Sequence, residues 1–197
     1  MTLYFLQYLK ENMGLTDLQL EQLIPKLRSK VFPKGSVLLR PGETRSHAYF
    51  VETGLLRSYS IDETGKQHVI QFAPENWFIS DRGSLYFGAP SKFTIEAIEE
   101  TTVIVIDQQY EDYIAGIPGS QKKIELILQN HIWFLQKRID SLLAATAETR
   151  YLEFVRLYPN LTMRVSQWMI ASYLGITPES LSRVRKELAT RHTKSHP

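Results

Sequence analysis

The 197-residue sequence contains no cysteine. That excludes disulfides, thiolate-bound haem, cysteine-held iron–sulfur clusters and sulfur-ligated zinc, and it fits a reducing compartment, so a cytoplasmic protein is expected. Long apolar runs are also missing, the longest, such as Val103–Ile106, being four residues. A membrane-spanning helix needs about 20 such residues, so neither a membrane partner nor a signal segment is expected. Histidine is scarce and scattered, at positions 47, 68, 131, 192 and 196. A metal enzyme on a β-barrel needs closely spaced ligands, typically His-x-His followed by Glu, and a nucleophilic enzyme needs a motif such as Gly-x-Ser-x-Gly. Neither is present, so no catalytic residue, metal ligand or cofactor is assigned and the protein is not expected to be an enzyme. A stoichiometric transition metal would revive that alternative.

Hydrophobic residues make up 43% of the chain and charged residues 22%, enough to build a core without metal or disulfide staples. The net charge of +2 hides an asymmetry. Positions 147–197 carry eight basic and four acidic side chains, a net of +4, while the preceding 146 residues carry a net of −2. A basic quarter on a mildly acidic body suits contact with phosphates at one end only, although chance clustering on a solvated face gives the same count.

Residues 1–30 read as helical, with Leu18, Leu20, Leu23, Ile24 and Leu27 near helical spacing. From Val31 to about Asp107 the texture changes to short runs: 37–39, 48–51, 55–61, 68–72, 93–98 and 102–106. Turn signals separate them, including Pro41-Gly42, Thr53-Gly54 and Glu63-Thr64-Gly65. Many short strands so punctuated predict an antiparallel barrel or jelly roll.

Pro118-Gly119-Ser120 closes the β region, and Ser120 is expected to cap a helix running to about Ala145 without internal glycine or proline. Leu128, Ile132, Leu135, Ile139 and Leu142 follow steps of four, three, four and three. That is a heptad seam, read as a homodimer interface, the alternative being one side of a core helix within a single subunit. Ile127, Trp133 and Phe134 form a second apolar face expected to lie on the barrel. Thr146 is expected to start a helix over 147–158 with Tyr151, Leu152, Phe154 and Val155 inward, after a short joint at 144–148 that suits lever-like motion. The organisation expected is a sensory domain over 1–117, a dimerisation helix over 118–145 and a DNA-binding domain over 146–197.

Residues 165–189 carry the functional signal. Ser166 starts one helix with Met169 or Ile170, Ala171 and Leu174 inward; Gly175 supplies a tight turn; Thr177 caps a second helix with Pro178 at its first position. Leu181, Val184 and Leu188 share one face of this second helix, and Glu179, Ser182, Arg183 and Lys186 share the opposite one, with Ser180 beside them. A carboxylate accepts from the cytosine amino group and an arginine reaches guanine O6 and N7, so this face has the chemistry to read double-stranded DNA in the major groove. A sensing module that acts on protein partners through a degenerate helix-turn-helix is the remaining reading, and Glu179 with Arg183 argues against it.

Over nearly its whole length the chain resembles the Crp/Fnr family of bacterial transcription regulators, and it looks most like the short members found in Bacteroidetes-type bacteria. The resemblance rests on the turns Lys34-Gly35, Pro41-Gly42, Gly54 and Gly65, the long helix and the helix-turn-helix. The Glu179-x-x-Ser182-Arg183 string matches the base-reading motif of the Fnr branch. What the resemblance implies is an α+β protein: an N-terminal cyclic-nucleotide-binding-type jelly roll, a long dimerisation helix and a C-terminal winged helix-turn-helix. It also implies a homodimer, a pseudo-palindromic DNA site and RNA polymerase as a partner. The candidate effector pocket departs from the cyclic-AMP-binding branch. Ser80-Asp81-Arg82 stands where that branch has Gly-Glu, and Ser91-Lys92 stands where it has Arg-Ser. A lysine does not reproduce the bidentate clamp of arginine on phosphate, so an effector other than cyclic AMP, or none, is expected.

Overall fold

The computed structural model describes residues 4–44 and 47–194, without the side chains of Gln108 and residues 192–194. His196 and the His192 side chain therefore lie outside the described residues. The chain opens with α1 (Tyr4–Tyr8), which continues as a π-helical turn (Leu9–Met13), and α2 (Asp17–Leu23), started by a reciprocal Thr16–Gln19 capping box. The expected helical region ends early, because 28–30 belong to the first strand. Arg28-Ser29-Lys30-Val31-Phe32 pairs along a partner strand, and this tertiary pairing overrides local propensity.

Among the described residues eight strands follow: β1 (Arg28–Phe32), β2 (Val37–Leu39), β3 (Ala48–Thr53), β4 (Leu56–Ile61), β5 (Gln67–Ala73), β6 (Phe78–Ile79), β7 (Thr94–Ala97) and β8 (Thr101–Ile106). They form two antiparallel four-stranded sheets ordered β1-β8-β3-β6 and β2-β7-β4-β5. Between the sheets lie Leu39, Tyr49, Val51, Leu56, Ile79, Ile95, Val103 and Val105. β8 reads as an unbroken apolar run because both its faces are covered: Val103 and Val105 point between the sheets, while Ile104 and Ile106 meet Phe5, Leu9, Leu23 and Phe50 beneath the N-terminal helices. Each such fully buried aliphatic or aromatic side chain contributes about 1.5–3 kcal/mol relative to exposure.

Two further helices, α3 (Arg82–Phe87) and α4 (Gln108–Ala115), precede the long α5 (Ser120–Ala144). Gly119, not Ser120, is the residue that starts α5, with Ser120 already inside it. Phe134 of the second apolar face meets Trp77 of the barrel, and Ile127 packs beside the N-terminal helices. Trp133 departs from the expectation: it is 57% exposed and lies beneath Lys137, 3.8 Å from its ring centre. Its cation–π contact lets the indole remain at the surface.

The chain bends at Ala145, whose backbone is extended, and Thr146 caps α6 (Ala147–Leu157) by accepting from the Thr149 amide at 3.1 Å. Phe154 is buried and Tyr151 and Val155 are half-buried, but Leu152 is 46% exposed. The short α7 (Leu161–Arg164), then α8 (Gln167–Leu174) and α9 (Pro178–Lys194), complete the described chain. The joint at 144–148 does not leave two loosely coupled bodies. Leu55, just before β4, and Tyr59, Val69 and Phe72 of the second sheet share one buried cluster with Phe154, Tyr158, Leu161, Ile170, Tyr173, Leu174 and Leu181.

One element of the expected fold is corrected. Among the described residues no strand lies beyond β8, so the helix-turn-helix stands there without the strands expected of a wing. The stretch between α6 and α8 lacks the period-two alternation of strands and folds as a helical turn instead.

Candidate nucleic-acid interface

Helices α8 and α9 are joined through Gly175 at φ 65° and ψ 35°. This left-handed conformation lets its amide reach back to the Ala171 and Ser172 carbonyls, and a side chain there would be strained. A Cβ at Gly175 would also sit 3.4 Å from the Leu142 side chain, so the turn rests on α5. Ile170, Ala171 and Leu174 of α8 and Leu181 and Val184 of α9 are buried, with Met169 partly so. Thr177 caps α9 by accepting from the Ser180 amide at 3.2 Å, and its hydroxyl lies 3.3 Å from that of Ser180.

The opposite face of α9 is open. Glu179, Ser182, Arg183 and Lys186 are all exposed, while Ser180 is half-buried beside the cap. Hydrogen bonds from its own amide and from the Thr177 hydroxyl hold the Glu179 carboxyl below the usual glutamate range. It is therefore an anion, and an acceptor, at neutral pH. The cationic strip continues past it: Arg183, Lys186, Glu187, Thr190 and Arg191 line a cavity of about 360 Å³ along α9. Arg191 pairs with Glu148 of α6 at 2.7 Å, tying the end of α9 to the start of the domain. Arg191 thus lines the candidate face, a placement that its charge alone did not reveal in the sequence.

On α5 the seam residues Ile132, Leu135, Ile139 and Leu142 are 48%, 44%, 57% and 38% exposed, and Leu128 is half-buried. Among the described residues the stripe is thus partly open to solvent, and at its end Leu142 lies against the Gly175 turn.

The candidate effector segments meet, but their polar groups serve the backbone. Asp81 is buried and caps α3, accepting from the Gly83 amide at 2.9 Å. Ser91 is buried in its own turn, accepting from the Phe93 amide at 3.0 Å and donating to the Phe93 carbonyl at 3.1 Å. The Glu43 carbonyl accepts from the Ser91 amide at 2.9 Å and from the Ser84 hydroxyl at 3.2 Å, so Glu43 and Ser84 join the site unforeseen. Ser80 is half-buried, Lys92 is exposed, and Arg82 lies over the Tyr86 ring. Burial lowers the pKa of His131 on α5, and the charge of Arg82 lowers it further, so this segment adjoins the long helix.

Side-chain contacts bind the C-terminal helices to the barrel and to α5. The Ser172 hydroxyl accepts from the Val69 amide and donates to the Gln67 carbonyl, both at 2.9 Å. The Tyr158 hydroxyl donates to the Phe72 carbonyl at 3.2 Å. Arg138 of α5 stacks on the Tyr173 ring and donates to the Tyr173 carbonyl. None of these pairs is adjacent in sequence, and no local pattern announces them.

The profile of the cyclic nucleotide-binding domain matches residues 29–112. The chain is 27% identical over 181 residues to the anaerobic regulatory protein of Aggregatibacter actinomycetemcomitans, covering 84% of this chain and 68% of that one. It is 29% identical over 181 residues to the fumarate and nitrate reduction regulatory protein of Vibrio cholerae serotype O1, covering 84% of this chain and 70% of that one. The chain thus spans about two thirds of the length of these relatives. A solved transcriptional regulator of the CRP/FNR family from Thermus thermophilus superposes with a TM-score of 0.65 at 20% identity, over 83% of this chain and 87% of that one. In its nucleotide-binding-type barrel, long helix and C-terminal helix-turn-helix, the chain is similar to these transcription regulators of the Crp/Fnr type.

Proposed function

We propose that this regulator works as a homodimer, paired along Leu128, Ile132, Leu135, Ile139 and Leu142, and reads a two-fold-related DNA site with Glu179, Ser182 and Arg183. Lys186 and Ser180 lie beside them toward the phosphates. The reading rests on one observation: the acid–hydroxyl–guanidinium face of α9 is exposed while its apolar face is buried. Glu179 accepts from a base amino group, Arg183 donates to guanine, and Lys186 supplies charge. The action is binding rather than catalysis, and RNA polymerase is the partner through which it changes transcription. The dimer follows from the apolar stripe on α5, which costs free energy while it faces water. Among the described residues no helix is long and apolar enough to cross a membrane, which suits a cytoplasmic site of action.

The effector, if one acts, is not cyclic AMP. Asp81 and Ser91 hold turns together, and an exposed lysine at position 92 stands where a phosphate clamp needs arginine.

Selection of bound fragments from random double-stranded DNA, followed by titration at several salt concentrations, tests the function. The expected result is a pseudo-palindromic sequence with half-site centres about 34 Å apart. Affinity for it should fall as salt rises, by release of counterions. Binding without sequence preference would overturn the assignment.

A further inference from the structure

Arg164 is the last residue of α7, three positions ahead of the start of α8, and its guanidinium leaves the DNA-binding unit altogether. Its Nη1 and Nη2 donate to the two carboxylate oxygens of Glu75, each at 2.9 Å. Nε donates to Glu99 at 3.4 Å, Nη2 also pairs with Glu99, and Nη2 donates to the Gly54 carbonyl at 3.0 Å. One side chain thus gathers three separate turns of the barrel: β3–β4, β5–β6 and β7–β8. The acceptors are themselves braced, because Glu75 also accepts from the Gly54 amide at 3.0 Å. Gly54 in turn has no room for a side chain: a Cβ there would lie 2.4 Å from the Glu100 carbonyl oxygen.

A planar guanidinium that meets a carboxylate with two parallel bonds fixes angle as well as distance. The Arg164 side chain is 22% exposed and that of Glu75 32%, so solvent screens the contact only in part. In this arrangement Glu179, Ser182, Arg183 and Lys186 all remain exposed. The latched form is therefore one that presents the reading face rather than hiding it.

We infer that Arg164, with Glu75 and Glu99, is a positioning latch that holds the helix-turn-helix at the angle to α5 in which it engages DNA. The inference rests on the reading of α9 given above. Unlatched, the unit keeps its fold but samples other angles, and DNA binding must first select the productive one, so affinity falls while base preference stays.

Charge gives the test a sign. Glu75→Gln with Glu99→Gln removes two negative charges from a DNA-binding protein, which by electrostatics alone strengthens binding. A positioning role predicts the opposite: weaker binding by about ten-fold, within the usual range of coupling between sites. Arg164→Gln should weaken binding similarly with an unchanged salt slope, whereas loss of a phosphate contact lowers the slope by about 0.9. Should the double variant not fold, Glu99→Gln alone takes its place. Affinity that is unchanged or raised in the glutamine variants, or a lowered slope for Arg164→Gln, overturns the latch.

Arg183→Ala measured alongside separates this from the parent reading. If that variant binds as the unaltered protein does, the assignment of α9 is at fault. Hydrogen exchange without DNA then still decides the latch: faster exchange across α6–α9 in Arg164→Gln, with β8 unchanged, supports it, and equal exchange throughout overturns it.

Discussion

Trp77 and Tyr158 stack with ring centres 5.2 Å apart, joining the turn before β6 to the end of α6. Trp77 also meets Phe134 of α5 at 6.2 Å, and its carbonyl accepts from the Val51 amide at 3.0 Å. One indole thus touches the barrel, the long helix and the DNA-binding unit, and it sits two residues from the Ile79-Ser80-Asp81 stretch that leads into α3.

Trp77→Ala removes most of that three-way packing. Its cost should be about 2–3 kcal/mol, at or below the usual range for deleting a core aromatic because Trp77 is only half-buried. Urea unfolding measures it. A loss under about 0.5 kcal/mol, typical of ordinary surface positions, would show that the contact contributes little.

Arg183→Ala should weaken DNA binding by about 1–3 kcal/mol and relax selectivity at one base pair of each half-site. Competition with single-base variants of the selected site measures both. Full affinity with full selectivity would remove Arg183 from the groove.

Much of this architecture was legible because local chemistry decided it. Turn glycines and alternation located six of the eight strands, and Thr146, Gly175, Thr177 and Pro178 marked helix boundaries through capping and φ preference. β1 escaped because Arg28-Ser29-Lys30 has no apolar signal and forms only against β8. β6 escaped because two residues are too few for a period. At the candidate sites the residue types on α9 were legible from helical spacing alone. The capping role of Asp81 was available from its place before α3, but not the Ser84–Glu43 contact, nor Arg164 with Glu75 across 89 positions. Those depend on which turns the jelly roll brings together, and no local pattern encodes that.

The latch should respond to acid. Burial opposes ionisation of Glu75, but hydrogen bonds from Arg164 outweigh it and leave the folded pKa below its ordinary value of 4.5. A carboxylate with a depressed folded pKa contributes stability that is present above about 4.5 and is lost as pH falls through the folded value. Glu52 acts in the opposite sense: burial raises its pKa despite a 2.8 Å bond from the Phe5 amide, so protonation in acid relieves the cost of burying its charge. Melting temperature followed from pH 6 downward should therefore fall less steeply in Glu75→Gln than in the unaltered protein. Parallel curves would separate Glu75 from the acid response.

Gly54→Ala should cost about 2 kcal/mol or more, since φ is 93° and the new methyl would meet backbone of Glu100 and Thr101. The clash is with main chain, which cannot swing aside as a side-chain tip does. The same turn holds the latch, so exchange across α6–α9 should quicken more than in the N-terminal helices. A melting temperature equal to that of the unaltered protein would show that the turn relaxes freely.

Leu135→Lys tests the pairing of subunits without disturbing the chain that makes them. Leu135 is 44% exposed in the single chain, so a lysine there has water to face and the fold should stand. In a symmetric interface the substitution is made twice, and residues near the two-fold axis approach their own copies. Two ammonium groups replace two apolar contacts, which removes burial and adds repulsion. Sedimentation should then show the mass of one chain, 22.8 kDa, where the unaltered protein is expected to show twice that. DNA affinity should fall by about ten-fold or more, because one half-site must be bound without the effective concentration that pairing supplies. A dimer that survives Leu135→Lys intact would place the interface on another face of the molecule and leave the apolar stripe of α5 to some other partner.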